Sequence, residues 1–128
     1  MNSFLRRALA LDSASCALIG LLLCLGADPL SGLFGLPEGL LSGAGLLLLP
    51  LAAFIAWLAS RPAPPSPLVW LVIIGNVAWT AESFLLIETE AARITALGTA
   101  FVAVQAVAVL GLALLEYIGL RRMRLAAA

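Results

Sequence analysis

The chain has 128 residues, of which 63% are hydrophobic and 11% are charged, and its formal net charge is zero. Soluble domains average about 45–50% apolar and about 25% charged residues, so a soluble chain of this length could not bury so much apolar surface. The composition therefore predicts a membrane protein of one domain. Zero net charge argues against a nucleic-acid partner. The absence of histidine removes a common metal and haem ligand, and we expect neither a metal nor a cofactor.

Four apolar windows reach the length of about 20 residues that a transmembrane helix needs. In chain order, the predicted spans cover about 5–26, 38–60, 67–88 and 91–120 of a single domain, 1–128. A turn-rich connection is expected over 26–39, a stiff proline-rich linker over 61–67, and a tight polar turn over 88–93. Short connections favour an up-down-up-down antiparallel bundle, so the expected fold is an all-α membrane protein with four transmembrane helices.

The first span carries a pattern of small residues at intervals of four positions. Asp12, Cys16, Gly20 and Cys24 lie on one helix face, and this spacing predicts a seam where another helix packs closely. Asp12 also interrupts the apolar run, and no clean small-x-small cleavage site follows the span. We therefore expect an uncleaved helix rather than a signal peptide.

The second and third spans carry polar features inside apolar runs. Pro50 lies in the middle of the second span and leaves the Leu46 carbonyl without its helical donor, which predicts a kink with a free acceptor. The third span is the most polar, with Asn76, Thr80 and Ser83 on one face.

Two amides and one carboxylate of the third and fourth spans are candidate intramembrane polar residues: Asn76 and Glu82 on the third span and Gln105 on the fourth. Asn76 and Gln105 are expected at similar depth, so we predict a hydrogen bond between them worth about 1 kcal/mol. With the Leu46 carbonyl they could hold the helices together or line a small polar pocket. Glu82, about one turn inside the nearer surface, could snorkel, pair with Arg93 or gate that pocket.

Asp12 and Glu116 are the other candidates. Asp12 lies five residues inward from Arg7 and Glu116 five residues inward from Arg121. Since the first and last helices run in opposite directions, both carboxylates are expected about 7 Å inside the same boundary. They could face each other, or each could pair with an arginine of the neighbouring helix. A structural ion cluster, a shared proton or cation site, and contact with lipid headgroups or a partner protein all remain open.

The arginines predict the orientation. Six of the seven fall at one end of the predicted bundle and Arg93 alone falls at the other. By the positive-inside rule, both chain termini and the loop between the second and third spans are expected in the cytoplasm.

The segment "LGADPLSGLFGLPEGLLSGAGLLLLP" combines the end of a first span, a short connector containing "GLP" and a Gly-rich second span. In these features the first half of the chain resembles small four-helix bacterial membrane proteins of the DoxX-like kind. The resemblance implies a four-helix bundle in a bacterial inner membrane and says little about activity.

No nucleophile–base pair, phosphate loop or metal-ligand set stands out in the sequence. We therefore expect a non-enzymatic inner-membrane protein, an accessory or scaffold subunit that packs with itself or with a larger membrane complex in the lipid bilayer. The alternative is a small proton- or cation-coupled transporter that uses Asp12, Glu116 and Glu82.

Overall fold

The computed structural model describes residues 3–127, and within this range it is all-helical. The helices are α1 (Ser3–Leu25), α2 (Ala27–Phe34), α3 (Glu38–Ala59), α4 (Ser66–Thr89) and α5 (Ala96–Ala127). All except the eight-residue α2 are long and apolar enough to cross a membrane. The predicted all-α fold with four transmembrane helices is thus confirmed.

The four long helices form a bundle in which α1 packs against α3 and α5, and α5 packs against α4. Helix α1 and helix α4 lie diagonally opposite, and α3 touches α4 only sparsely. Six arginines lie at the end with the α3–α4 linker, which we call the arginine-rich end. The opposite end holds α2 and the α4–α5 turn, and we call it the α2 end.

Two hydrophobic clusters fill the interior, one near each end. The cluster at the arginine-rich end draws on all four long helices, and its members include Leu5, Leu9, Ile55, Leu58, Val69, Val72, Ala113 and Leu120. The cluster at the α2 end includes Leu23, Ala27, Phe34, Leu36, Leu41, Leu48 and Val102. No buried residue of α4 belongs to this second cluster, so α3 and α4 share a core mainly at the arginine-rich end.

The predicted small-residue seam of α1 is confirmed for Gly20 and Cys24, which pack closely against α3. A Cβ atom added to Gly45 would lie 2.7 Å from the Gly20 carbonyl oxygen and 2.7 Å from the Cys24 sulfur. Across the same seam the Ser13 hydroxyl donates to the Ala52 carbonyl at 2.8 Å. The backbones of α1 and α3 come this close because neither glycine has a side chain.

The connection over 26–39 differs from the expected run of turns, because α2 occupies most of it. Helix α2 ends at Phe34 and is followed by its C-cap, Gly35, whose φ of 69° is left-handed and suits glycine. Thr95 of the α4–α5 connection caps this end, since its backbone N–H donates to the Phe34 carbonyl and its hydroxyl to the Leu33 carbonyl, at 2.9 and 2.6 Å. The capped carbonyls explain why α2 forms in a loop rich in Gly and Pro.

Thr95 also begins α5, because its hydroxyl accepts the Gly98 N–H at 3.0 Å. Replacing Thr95 with valine keeps the shape and removes both hydroxyl hydrogen bonds, so we expect a loss of about 1–2 kcal/mol in the free energy of unfolding. Equilibrium unfolding in detergent micelles would measure it. Thr99→Val is the matched control, because the Thr99 hydroxyl forms no hydrogen bond within residues 3–127. Equal losses in the two variants would contradict the capping role.

Helix α3 continues as an α-helix through Pro50, which is exposed. Aromatic residues lie at the arginine-rich end, where the Trp70 and Tyr117 rings are 5.8 Å apart and Arg61 lies 5.4 Å from the Trp57 ring. Helix α5 begins at Ala96, five residues later than predicted, and it extends to Ala127. Because α5 covers later residues than predicted, the polar residues that lie level with those of the other helices also differ from the prediction.

Candidate functional site

Three polar side chains from three helices meet in the interior. The Asn76 amide nitrogen donates to Asp12 Oδ2 at 2.8 Å and to Glu116 Oε1 at 2.9 Å. Asp12 and Glu116 are exposed by 1% and 0% of their surfaces, and Asn76 by 9%. We call Asp12, Asn76 and Glu116 the carboxyl triad. Its members lie nine, ten and eleven residues from the helix ends at the arginine-rich end, which is about 15 Å of helix.

The remaining oxygens of the two carboxyl groups are poorly satisfied. The Cys16 thiol lies 3.6 Å from Asp12 Oδ1, a weak donor at long range. Glu116 Oε2 is buried and accepts no hydrogen bond from any residue between 3 and 127. Asn76 has two amide hydrogens, and both are already used. The triad therefore contains four carboxyl oxygens but only two good donors.

The arginines that were considered as partners of these carboxylates lie elsewhere. Arg7 and Arg121 are both exposed, and Arg121 lines a surface recess beside Trp70 and Tyr117. Within residues 3–127 the only salt bridge joins Arg93 to Glu90, at 4.0 Å. The structure thus contradicts the alternative in which Asp12 and Glu116 each pair with an arginine of a neighbouring helix. The amide of Asn76 takes the place of a guanidinium.

The predicted hydrogen bond between Asn76 and Gln105 is wrong. Gln105 instead contacts α4 residues that lie closer to the α2 end than Asn76 does. Its side-chain carbonyl accepts a hydrogen bond from the Trp79 indole at 2.9 Å, and its amide donates one to the Ser83 hydroxyl at 2.9 Å. Gln105 and Glu116 are eleven residues apart on α5, about 16 Å along the axis. Because α5 is displaced along its sequence, Asn76 lies level with Glu116 and not with Gln105.

The polar face predicted for α4 is otherwise as expected. Asn76, Thr80 and Ser83 are all buried, and the Thr80 hydroxyl lies 3.3 Å from the Ala106 carbonyl of α5. On the adjacent face, Trp79 borders two cavities between α3 and α4, and Glu82 borders one of them. The buried face therefore joins α4 to α5, while the adjacent face borders the space next to α3.

The two cavities lie where α3 and α4 fail to pack. The larger, about 420 Å³, is near the α2 end and includes Trp79, Glu82 and Gln105 in its walls. The smaller, about 260 Å³, is nearer the arginine-rich end and includes Cys16 and Asn76 in its walls. Trp79 borders both. We call the two cavities together the α3–α4 slot, and it leads from the lipid-facing surface to the edge of the carboxyl triad.

Glu82 stands on the wall of the larger cavity and is exposed. It does not pair with Arg93, as had been one expectation, because Arg93 lies beside Glu90 and donates to the Gly35 carbonyl at 3.1 Å. In the described part of the chain no group donates a hydrogen bond to Glu82. It lies seven residues before the end of α4, about 10 Å along the helix. The Leu46 carbonyl, expected to contribute to a polar pocket, belongs to a residue that lines neither cavity.

Cys16 and Trp79 are the site residues that sequence reasoning did not single out as functional. Cys16 had been assigned to the packing seam, although its position one helical turn after Asp12 was a signal that the two could touch. Trp79 could have been found from its spacing, three residues after Asn76 and three before Glu82. Among residues 3–127, no group of three or more Cys, Asp or Glu side chains is placed to hold a metal ion.

Comparisons with protein-family models, with curated proteins and with solved structures give no match to this chain. The carboxyl triad and the α3–α4 slot are the features of this membrane protein with four transmembrane helices that point to a function.

Proposed function

We propose that this membrane protein is a small proton-coupled carrier in which the carboxyl triad binds the proton. The observation that carries the proposal is the meeting of two fully buried carboxyl groups on one amide, with no basic side chain of residues 3–127 paired with them. A purely structural bridge would be better served by one carboxylate and one arginine, since a guanidinium neutralises the charge that it contacts.

The charge of the triad favours a bound proton. Asp12 Oδ2 and Glu116 Oε1 both bond to one nitrogen, so they lie within about 6 Å of each other. Two ionised carboxylates at that distance repel by about 3 kcal/mol even at an effective dielectric constant of about 20. A single proton on the pair removes this repulsion. It also supplies a donor to a cluster that has too few, since Glu116 Oε2 has no hydrogen-bond partner among residues 3–127.

Infrared spectroscopy of the protein in lipid nanodiscs tests the proton site. At neutral pH we expect a carbonyl band from a buried protonated carboxylic acid, because the pair is stabilised by sharing a proton. The band should disappear in Glu116→Gln, which removes the fully buried acid. In Asp12→Asn it should persist at a shifted frequency, because burial keeps the proton on Glu116 and only its neighbour changes. Glu88→Gln, an exposed position on α4, is the control and should keep the band. A wild-type spectrum without the band would refute the proposal.

A second candidate is an accessory or scaffold subunit of a larger membrane complex. Gly39 and Gly43 of α3 favour it, because a Cβ added to either meets no atom within 4 Å and their spacing lets a helix of another subunit approach closely. Native mass spectrometry after crosslinking in the protein's own membrane distinguishes the two candidates. A larger complex of fixed stoichiometry supports the accessory subunit, while the protein alone or as a closed homo-oligomer refutes it.

The same proposal places the protein in a bacterial inner membrane with both termini in the cytoplasm. Its support is the distribution of arginines, six at the arginine-rich end and Arg93 at the α2 end. In that orientation Glu82 lies toward the outer side, and the carboxyl triad lies near the middle of α1 and α4, about 15 Å of helix from their cytoplasmic ends. Coupling-ion sites of carriers are commonly found near this depth. We do not expect an enzymatic activity.

A further inference from the structure

We infer that the α3–α4 slot binds an amphiphile with a cationic head, and that Glu82 recognises this head. The inference rests on the proposed function, because it names the class of substrate that the carrier would exchange for a proton.

The slot is open to the bilayer along its length. Leu40 and Leu47 of α3 line the larger cavity and are exposed by 40% and 53%, and Leu71 of α4 lines the smaller one and is exposed by 59%. Helices α3 and α4 scarcely contact each other, so neither helix closes the slot from the side. A molecule dissolved in the membrane can therefore enter it laterally without passing through water.

The charge of the larger cavity selects the head of the occupant. Glu82 is the only charged residue among the described residues that line it. A carboxylate surrounded by hydrocarbon costs about 2.5–3.5 kcal/mol at the middle of a membrane and less nearer the surface, where Glu82 lies. No residue within 3–127 offsets this cost by a hydrogen bond or an ion pair. An ammonium head offsets it, whereas a phosphate or carboxylate head is repelled.

The other walls suit an apolar body next to that head. Phe101 and Trp79 offer aromatic surface to a cation or to a chain, and Leu86 lies near Glu82 on α4. Trp79 precedes Glu82 by three residues, about 4.5 Å of helix, so a chain that starts at Glu82 and follows the slot passes Trp79. Beyond Trp79 it reaches Asn76, a member of the carboxyl triad. This path is the physical link between a bound cation and the proton site.

Quenching of Trp79 fluorescence tests the occupant. Trp57→Phe and Trp70→Phe leave Trp79 as the sole tryptophan of a protein in phosphatidylcholine nanodiscs. The probes are dodecyl amphiphiles with a bromine midway along the chain and an ammonium, hydroxyl or carboxylate head. Bromine quenches tryptophan only in contact. We expect saturable quenching by the ammonium probe, with half-saturation at a concentration about tenfold lower than for the hydroxyl probe.

Glu82→Gln should abolish the preference for ammonium, and Glu88→Gln, one exposed carboxylate further along α4, should keep it. A variant with Trp57 as sole tryptophan reports partition into the bilayer and should show no head preference. Equal quenching of Trp79 by all three probes, or an unchanged preference in Glu82→Gln, would overturn the inference and assign the slot to ordinary acyl chains.

Proton release on binding of the ammonium probe distinguishes a missing cation site from a missing proton site. In weakly buffered nanodiscs with a pH-sensitive dye, binding of the ammonium probe should release a proton from the wild type but not from Glu116→Gln. Selective binding without proton release supports the cation site and refutes the coupling. A protonated-acid infrared band without selective binding supports the proton site and overturns the cation site.

Discussion

Replacing Asn76 with alanine should lower the free energy of unfolding by about 3 kcal/mol, because it removes both good donors of the carboxyl triad at once. Two buried carboxyl groups would then face each other with only the Cys16 thiol nearby, at 3.6 Å from Asp12 Oδ1. Unfolding of the protein in micelles by a denaturing detergent would measure the loss. Val77→Ala is the control, since Val77 is the next residue of α4 and is 48% exposed.

A second variant separates the loss of the amide from the loss of side-chain volume. Asp12→Asn, combined with Asn76→Ala, restores an amide donor next to Glu116 and removes one of the two carboxyl groups. We therefore expect the double variant to be more stable than Asn76→Ala alone, a non-additive result that a mutant cycle isolates. If Asn76→Ala costs no more than Val77→Ala, or if the two changes simply add, Asn76 does not hold the carboxyl groups together.

Replacing Gly45 with alanine should have a comparable effect on stability, for a steric reason. The added Cβ would lie 2.7 Å from the Gly20 carbonyl oxygen and 2.9 Å from the Cys24 backbone nitrogen. Backbone atoms of a packed helix cannot move aside as a flexible side chain can, so α1 and α3 must separate. Overpacking of this kind costs about 1–3 kcal/mol, and we expect the upper part of that range because α1 and α3 form the most extensive helix contact of the bundle.

Gly43→Ala is the matched control for this prediction. Gly43 lies two residues earlier on α3, and a Cβ added there meets nothing within 4 Å. Alanine is the better helix former by about 1 kcal/mol, so this variant should be as stable as the wild type or slightly more stable. Thermal unfolding followed by circular dichroism compares the two. Equal melting temperatures for Gly45→Ala and Gly43→Ala would show that the seam is less tight than the structure indicates.

The seam and the slot are two consequences of one packing arrangement. Helix α1 packs against α3 through glycine, and α4 packs against α5 through Gln105, Ser83 and Thr80. Each helix pair is therefore held by its own contacts, and the carboxyl triad joins the pairs through α1, α4 and α5. Since nothing comparable joins α3 to α4, the slot lies between the two best-packed parts of the molecule. A change of protonation at the triad acts on the contact that joins the two pairs.

The sequence alone determined the four spans, because length and hydropathy are properties of each segment taken by itself. It also determined which face of α1 would pack closely and which face of α4 would be buried, since helical periodicity assigns Gly20 and Asn76 to a face without knowledge of the neighbour. The sequence did not predict helix α2. This helix depends on capping by Thr95, which is more than sixty residues later in the chain.

Only the tertiary structure decided which polar groups meet. The depth of Asn76 relative to Gln105 and Glu116 depends on how far α5 is shifted along its axis, and one helical turn of shift, about 5.4 Å, brings a different residue level with it. Hydropathy places each of the two spans only to within several residues, and α5 begins five residues later than predicted. The combined error in the placement of α4 and α5 is why hydropathy did not predict that Asn76 would meet Glu116. The same holds for the α3–α4 slot: each helix is apolar enough to pack there, and only the arrangement of all four leaves it open to lipid.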